Sequence, residues 1–254
     1  MQHIDGRPVT AADLQALALV GLGHFTTLRV QDGGVRGLDL HLRRLARDAR
    51  DVFQVGLDED LVRRHIRRAI ADEPADVIVR ITLFDPSLSL AHPGGAAAPR
   101  MLVTPRAVGG AEPMRVRSAA HEREHPRIKH VGLFGALRER RLAQQAGFDD
   151  AVFVDRAGLV TEGPTWNVGF VRAGRVIWPE ADALDGVTRA LLDHHGTPEP
   201  VTLDDARRMD AAFALSAGVG VRPIASLDDA IYRADDPALA RLREAYAAIP
   251  AEPV

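Results

Sequence analysis

Ile128-Lys129-His130-Val131-Gly132-Leu133-Phe134-Gly135-Ala136-Leu137 contains the only lysine in the chain. Lysine and arginine together number 32 in 254 residues, which leaves 31 arginines. Codon drift toward arginine explains a scarcity of lysine, because arginine serves equally well on a solvated surface. It does not serve where a neutral amine must attack a carbonyl, since guanidinium does not deprotonate in proteins. Lys129 is therefore a candidate nucleophile. Downstream the pattern predicts a helix over about 134–146, a strand at 151–155, a turn from Asp155 to Gly158, and a strand at 167–172. Val176 to Trp178 reads as a short strand, and Gly186-Val187-Thr188 opens a helix ending near His194-His195-Gly196. Residues 203–208 read as helical, 211–215 as a strand and 237–247 as a closing helix.

Working back toward the N-terminus, residues 114–119 read as a strand and 107–113 as a linker. Val77 to Phe84 alternates as a strand, with 101–106 as its partner across a Pro/Gly/Ala-rich loop, 85–99. Residues 39–53 place Leu42, Leu45, Ala49 and Val52-Phe53 on one helical face, and 58–72 forms a second amphipathic helix. His24 to Val30 has the β-branched and aromatic content of a strand, followed by the hairpin signal Asp32-Gly33-Gly34. Residues 11–20 make a short helix with Thr10 as N-cap, and His3 to Val9 a strand with a turn at Asp5-Gly6. The reading is α+β throughout, with no internal repeat.

Bulk composition narrows the function. The net charge is −3 and dispersed, so no footprint for nucleic acid is visible. There is no cysteine, which excludes disulfides and thiolate metal sites. The longest apolar runs fall far short of the roughly 20 residues of a membrane helix, and the first residues lack the pattern of a secretory signal. A cytoplasmic location with no membrane partner is the expectation. His121-Glu122-Arg123-Glu124-His125 matches the HExxH zinc pattern. That motif needs a helix to bring both histidines to one face. Pro126 follows at once and a strand precedes it, so a metal hydrolase is a remote alternative and no metal is expected.

Four further motifs occur in order. They are Gly147-Phe148-Asp149-Asp150-Ala151 before an apolar strand, Gly158-Leu159-Val160-Thr161-Glu162-Gly163-Pro164-Thr165-Trp166-Asn167, and Gly186-Val187-Thr188-Arg189, preceded by Phe25-Thr26-Thr27-Leu28-Arg29-Val30 with Leu40-His41-Leu42-Arg43-Arg44-Leu45. Together with Lys129 they resemble the class IV aminotransferases, the fold-type IV pyridoxal 5′-phosphate (PLP) enzymes. That family includes branched-chain and D-amino acid transaminases and aminodeoxychorismate lyase. The likeness runs over roughly residues 4–228.

The resemblance implies a small N-terminal α/β domain at 1–108, a linker at 109–113 and a larger pseudo-barrel domain at 114–254, with PLP lying between the domains and a homodimer as the assembly. It makes Lys129 the catalytic residue, condensed with the cofactor aldehyde and later shuttling a proton at the substrate Cα. Glu162 would sit against the pyridine nitrogen. Arg44, the helix start at Val187 and Thr188, and the turn at Ser216 and Ala217 would hold the phosphate. Asn167 would tie the strand start to the Glu162 loop.

The chain departs from the family at Gly132, where asparagine is common, at Asp85-Pro86, where an Arg-Gly pair is common, and at Ala217, where a hydroxyl is common. The expected activity is transfer of an amino group from an amino acid to a 2-oxo acid. The alternatives are pyruvate elimination from aminodeoxychorismate and a non-catalytic PLP-fold binder. For the lyase, Arg29, Arg106 and Arg222 are the candidate cations for the ring carboxylates.

With one lysine the cofactor has one side-chain attachment point. Borohydride reduction of the PLP-loaded protein, followed by digestion and mass spectrometry, is expected to leave the phosphopyridoxyl group on the Lys129 peptide. A protein that takes up no PLP would overturn the assignment.

Overall fold

The computed structural model describes residues 3–254. The chain divides into two compact units. The first holds residues 3–108 with Ile128–Gly132 and Pro250–Val254; the second holds Gly109–Arg127 and Leu133–Ile249. A second domain running unbroken over 114–254 is thus interrupted twice. Both exceptions have the same cause: each segment joins the first unit's sheet by backbone pairing.

In the first unit, β1 (His3–Ile4) and β2 (Arg7–Pro8) form a hairpin. Helix α1 (Ala11–Val20) starts at the expected cap: the Thr10 hydroxyl accepts from the Asp13 amide and the Asp13 carboxylate accepts from the Thr10 amide. Strand β3 (Gly23–Gln31) turns through Asp32 and Gly33, both at positive φ, into β4 (Gly34–Arg36). Helices α2 (Leu38–Phe53) and α3 (Glu59–Ile70) follow, then β5 (Asp76–Phe84) and β6 (Arg100–Arg106). The sheet is antiparallel, in the order Ala251–Pro253, β4, β3, β5, β6, β1, β2. Alternation in β3 and β5 sends Leu28, Val30, Val79 and Ile81 to one face, where they pack with Leu38, Leu42, Leu45 and Ala49 of α2 and Val62 and Ile66 of α3. The other face therefore carries Phe25, Thr27, Arg80 and Thr82.

The second unit contains β7 (Met114–Ala120), α4 (Phe134–Gln145), β8 (Asp150–Val154), β9 (Asn167–Arg172), β10 (Arg175–Pro179), α5 (Val187–Leu191), β11 (Gly196–Glu199), α6 (Leu203–Arg207), β12 (Ala211–Ser216), β13 (Gly220–Leu227), β14 (Ala230–Ile231) and α7 (Pro237–Ala248). Its sheet runs β11-β10-β9-β12-β13-β7-β8. Residues 159–162 close it into a barrel: Phe153 N–H donates to Glu162 O (2.7 Å), Thr161 N–H to Phe153 O (3.0 Å), and Glu162 bridges to Asn167 at the start of β9.

Strand β13 had no sequence signal, because Pro223 interrupts it and proline is unusual in a central strand. Yet β13 pairs with β12 on one edge and β7 on the other. The β7 ladder begins only at Ile224, so the proline stands at its margin. Strand β11 was also unforeseen; Gly196 lets it lie against Trp178 and Val176.

The barrel wall is tight at Gly169, where a Cβ would run into the rings of Phe213 and Trp178, themselves packed edge to face at 5.6 Å. Gly169→Ala is expected to destabilise the fold by about 1–3 kcal/mol, the usual cost of overpacking, read as a lower denaturation midpoint at unchanged slope.

Candidate active site

The sequence-predicted residues fall into two groups. Lys129 and Arg44 belong to the first unit; Glu162, Val187, Thr188, Ser216 and Ala217 belong to the second.

Lys129 is held by its backbone. Phe25 N–H donates to Lys129 O (2.8 Å), Val131 N–H to Gly23 O (2.9 Å), and the Lys129 N–H donates to the Asp48 carboxylate (3.0 Å). The segment is thus an added strand along the start of β3, anchored to α2 by a fully buried aspartate. The lysine side chain is itself buried, with Nζ 5.0 Å from the centroid of the Phe25 ring. The guanidinium of Arg80 lies 3.6 Å from that same centroid and donates from Nε to Thr82 Oγ1 (3.1 Å). No carboxylate pairs with Arg80 among the described residues. Burial, then the charge of Arg106, holds its pKa below the ordinary arginine value.

Sequence reading did not single out Arg80; the available signal was a lone arginine inside the apolar strand 77–84. The arginines it did name are differently employed. Arg29 is engaged by Asp76 (Nε to Oδ1, 2.6 Å), and Arg222 donates to Glu112 O (2.6 Å). Arg106 lies on β6 opposite Ile78.

Arg44 lies on the α2 face turned toward β3 and is buried. Its Nη2 donates to Thr26 Oγ1 (2.8 Å), which stands 2.8 Å from Nδ1 of His41. His41 is fully buried, and burial, reinforced by the charges of Arg44 and Lys129, holds its pKa well below the usual histidine range.

In the second unit Glu162 sits on the seam that closes the barrel and is almost completely buried. Its Oε2 accepts from Leu184 N–H (3.3 Å), and Arg123 Nη1 lies 3.7 Å from Oε1. Asn167 Nδ2 donates to Leu184 O (2.9 Å). The Leu184 peptide therefore links the two residues: its N–H goes to the carboxylate and its carbonyl to the amide. The same segment runs into Gly186, where a Cβ would collide with Asn167 Oδ1, and then into the first turn of α5. Arg123 was read only as part of the HEREH stretch. That stretch is not helical: His125 has a φ of 44° and the His121 ring packs on Phe153 at 4.5 Å. Among the described residues no group of three or more His, Asp or Glu is placed to hold a metal ion.

These residues fit PLP. Thr188 is buried, and its hydroxyl has no hydrogen-bond partner among the described residues. It lies in the first turn of α5, whose leading N–H groups have no intrahelical acceptor. A phosphate satisfies both. The chain between β12 and β13 turns at 217–219, with Val219 N–H closing on Ser216 O (3.2 Å), and α5 packs on β12. In the first unit the buried amine suits an aldehyde; in the second the buried carboxylate suits a protonated ring nitrogen and these donors an oxyanion.

The model of one family, Amino-transferase class IV, matches residues 23–227. A branched-chain-amino-acid aminotransferase of Pseudomonas aeruginosa is 30% identical over 129 residues, 45% of this chain and 42% of the relative, so the match spans less than half of that protein. A fold IV-transaminase from Curtobacterium pusillum superposes with a TM-score of 0.78 at 25% identity, covering 91% of this chain and 86% of that one. A putative 4-amino-4-deoxychorismate lyase from Legionella pneumophila superposes at 0.79 with 23% identity, covering 89% and 90%. The fold is that of the fold-type IV PLP enzymes, and the cofactor is pyridoxal 5′-phosphate. The chain belongs to the class IV aminotransferase family.

Two outcomes are expected of the assigned residues. Glu162→Gln should keep PLP bound while slowing turnover by roughly 10²-fold or more, as when a charge that stabilises the transition state is neutralised; wild-type rates would leave Glu162 a purely structural part of the seam. Arg44→Ala and Thr188→Ala should weaken PLP binding more than they alter the spectrum of the bound cofactor, with Arg44 losing about 1.5–3 kcal/mol, measured by titrating the apoprotein with PLP.

Proposed function

We propose that this protein transfers an amino group from an amino acid to a 2-oxo acid. The observation that carries the proposal is the pairing, over one Phe25 ring, of the Lys129 amine with the Arg80 guanidinium. An amine nucleophile beside a cation with no carboxylate partner among the described residues suits a substrate whose reacting carbon bears a carboxylate.

Bound PLP supplies the electron sink that acidifies the substrate Cα–H. The protein does the rest. Lys129 would hold the cofactor and supply the amine that moves the proton at the substrate Cα. Glu162 would pair with the cofactor's ring nitrogen and favour its protonated form; Arg123 keeps a compensating positive charge beside that carboxylate. Arg44, the N–H groups of Val187 and Thr188, the Thr188 hydroxyl and the turn at Ser216 and Ala217 would be the phosphate-holding residues. Arg80 orients the substrate carboxylate.

The second reading, elimination of pyruvate from aminodeoxychorismate, draws support from Arg106, whose charge acts on Arg80. Two cations on one sheet suit a substrate with two carboxylates. A homodimer in the cytoplasm belongs to the same proposal; Phe134 and Leu137 at the start of α4 are exposed and offer an apolar face to a second copy. Among the described residues no helix is long and apolar enough to cross a membrane.

The reaction is decided spectroscopically. An amino donor alone is expected to abolish the yellow band of the holoenzyme, and a 2-oxo acid to restore it. If no amino acid bleaches the band, while aminodeoxychorismate yields 4-aminobenzoate and pyruvate without an acceptor, the lyase reading replaces this one.

A further inference from the structure

We propose that Thr26 and His41 form a one-way hydrogen-bond relay that sets the orientation of the Arg44 guanidinium, so that both are positioning residues for the anion that Arg44 holds. The inference rests on the reading of Arg44 as a phosphate-holding residue. The relay itself follows from counting protons.

Arg44 can only donate, so in the 2.8 Å contact between its Nη2 and Thr26 Oγ1 the hydroxyl is the acceptor. Thr26 has one proton left to place. It is wholly buried, and its remaining hydrogen-bond contact is Nδ1 of His41 at 2.8 Å. Two tautomers of the neutral ring meet this contact. If Nδ1 carries the proton, it donates to Thr26, which strands the Thr26 hydroxyl proton and leaves Nε2 a buried bare acceptor. If Nε2 carries the proton, Thr26 donates to a bare Nδ1, and Nε2–H alone lacks a partner among the described residues. The second arrangement leaves one buried polar atom unmatched instead of two, and each unmatched atom costs on the order of 1–3 kcal/mol. The imidazolium is disfavoured by burial and by the neighbouring charges of Arg44 and Lys129.

The direction is therefore fixed as Arg44 to Thr26 to His41, and every bond polarises the next in the same sense. The Thr26 hydroxyl donates to Nδ1 of the ring, which turns the hydroxyl lone pairs toward the arginine. A bond from Thr26 to one nitrogen of the planar guanidinium helps fix the plane of the fork, on which recognition of an oxyanion depends. His41 and Arg44 stand three residues apart on α2, so both face β3 from one side of that helix.

Nitrogen-15 NMR of the apoprotein reads the relay without the cofactor: His41 is expected to be neutral and protonated at Nε2. A ring protonated at Nδ1, or at both nitrogens near neutral pH, overturns the proposal even if every variant fails to fold. Thr26→Val is nearly isosteric and removes the hydroxyl. It is expected to weaken PLP binding about tenfold, the order of a lost bond to a charged group, and to shift the phosphorus-31 resonance of bound PLP. Binding of pyridoxal, which has no phosphate, should stay within about twofold, and Thr26→Ser should restore PLP affinity. Unchanged PLP binding in Thr26→Val, or equal losses for PLP and pyridoxal, overturns the proposal. Arg44→Ala separates the two ideas: if it leaves PLP affinity unchanged, the phosphate reading fails, while the nitrogen-15 result still decides the relay.

Discussion

The site depends on where one short segment of backbone is laid. Residues 128–132 follow the start of β3, and Asp48 receives the Lys129 amide from the opposite side. A carboxylate as buried as Asp48 is tolerable only when its oxygens are occupied. Here they accept from the Lys129 backbone and from the guanidinium of Arg47 at 2.9 Å. Because α2 is packed on the sheet through Leu38, Leu42, Leu45 and Ala49, the aspartate has a fixed position, and the lysine inherits it. The lysine is therefore positioned by main-chain bonds at its root.

Charge placement follows from the same economy. A chain with 31 arginines must keep most of them from binding substrate anions indiscriminately, and pairing does this. Arg29 is held by Asp76, Arg140 by Asp150, Arg100 by Asp5 and Asp13. Arg80 is the exception near the lysine, held by an aromatic ring and a threonine hydroxyl. A ring face attracts a cation without neutralising it, so Arg80 keeps a positive charge that no carboxylate among the described residues offsets.

In the second unit a different device fixes Glu162. The residue lies on the strip that closes the barrel, so its backbone is bonded to Phe153 and bridged to Asn167, and its carboxylate meets the Leu184 amide. Asn167 fixes the far side of the Leu184 peptide and fills the space that a side chain at Gly186 would need.

Periodicity and chemical uniqueness were local properties, and the sequence by itself determined what depended on them: the helices 11–20, 39–53 and 58–72, the strands with clear alternation, the Thr10 cap, the unhelical HEREH stretch, and Lys129 as the only lysine. The family resemblance singled out the stretch from Gly158 to Asn167, and in the fold that stretch carries the bridge from Glu162 to Asn167 at the start of β9. Tertiary structure alone decided what depended on partners distant in sequence. Strand β13 exists because β12 and β7 supply ladders on both edges, in spite of Pro223. Arg80 differs from Arg29 only in that Asp76 lies within reach of one and not the other. The assignment of residues 128–132 to the first unit, and the meeting of Thr26, His41 and Arg44, arise from packing α2 on β3. No windowed pattern encodes such contacts, because their energy comes from burying groups that are 15 to 81 residues apart.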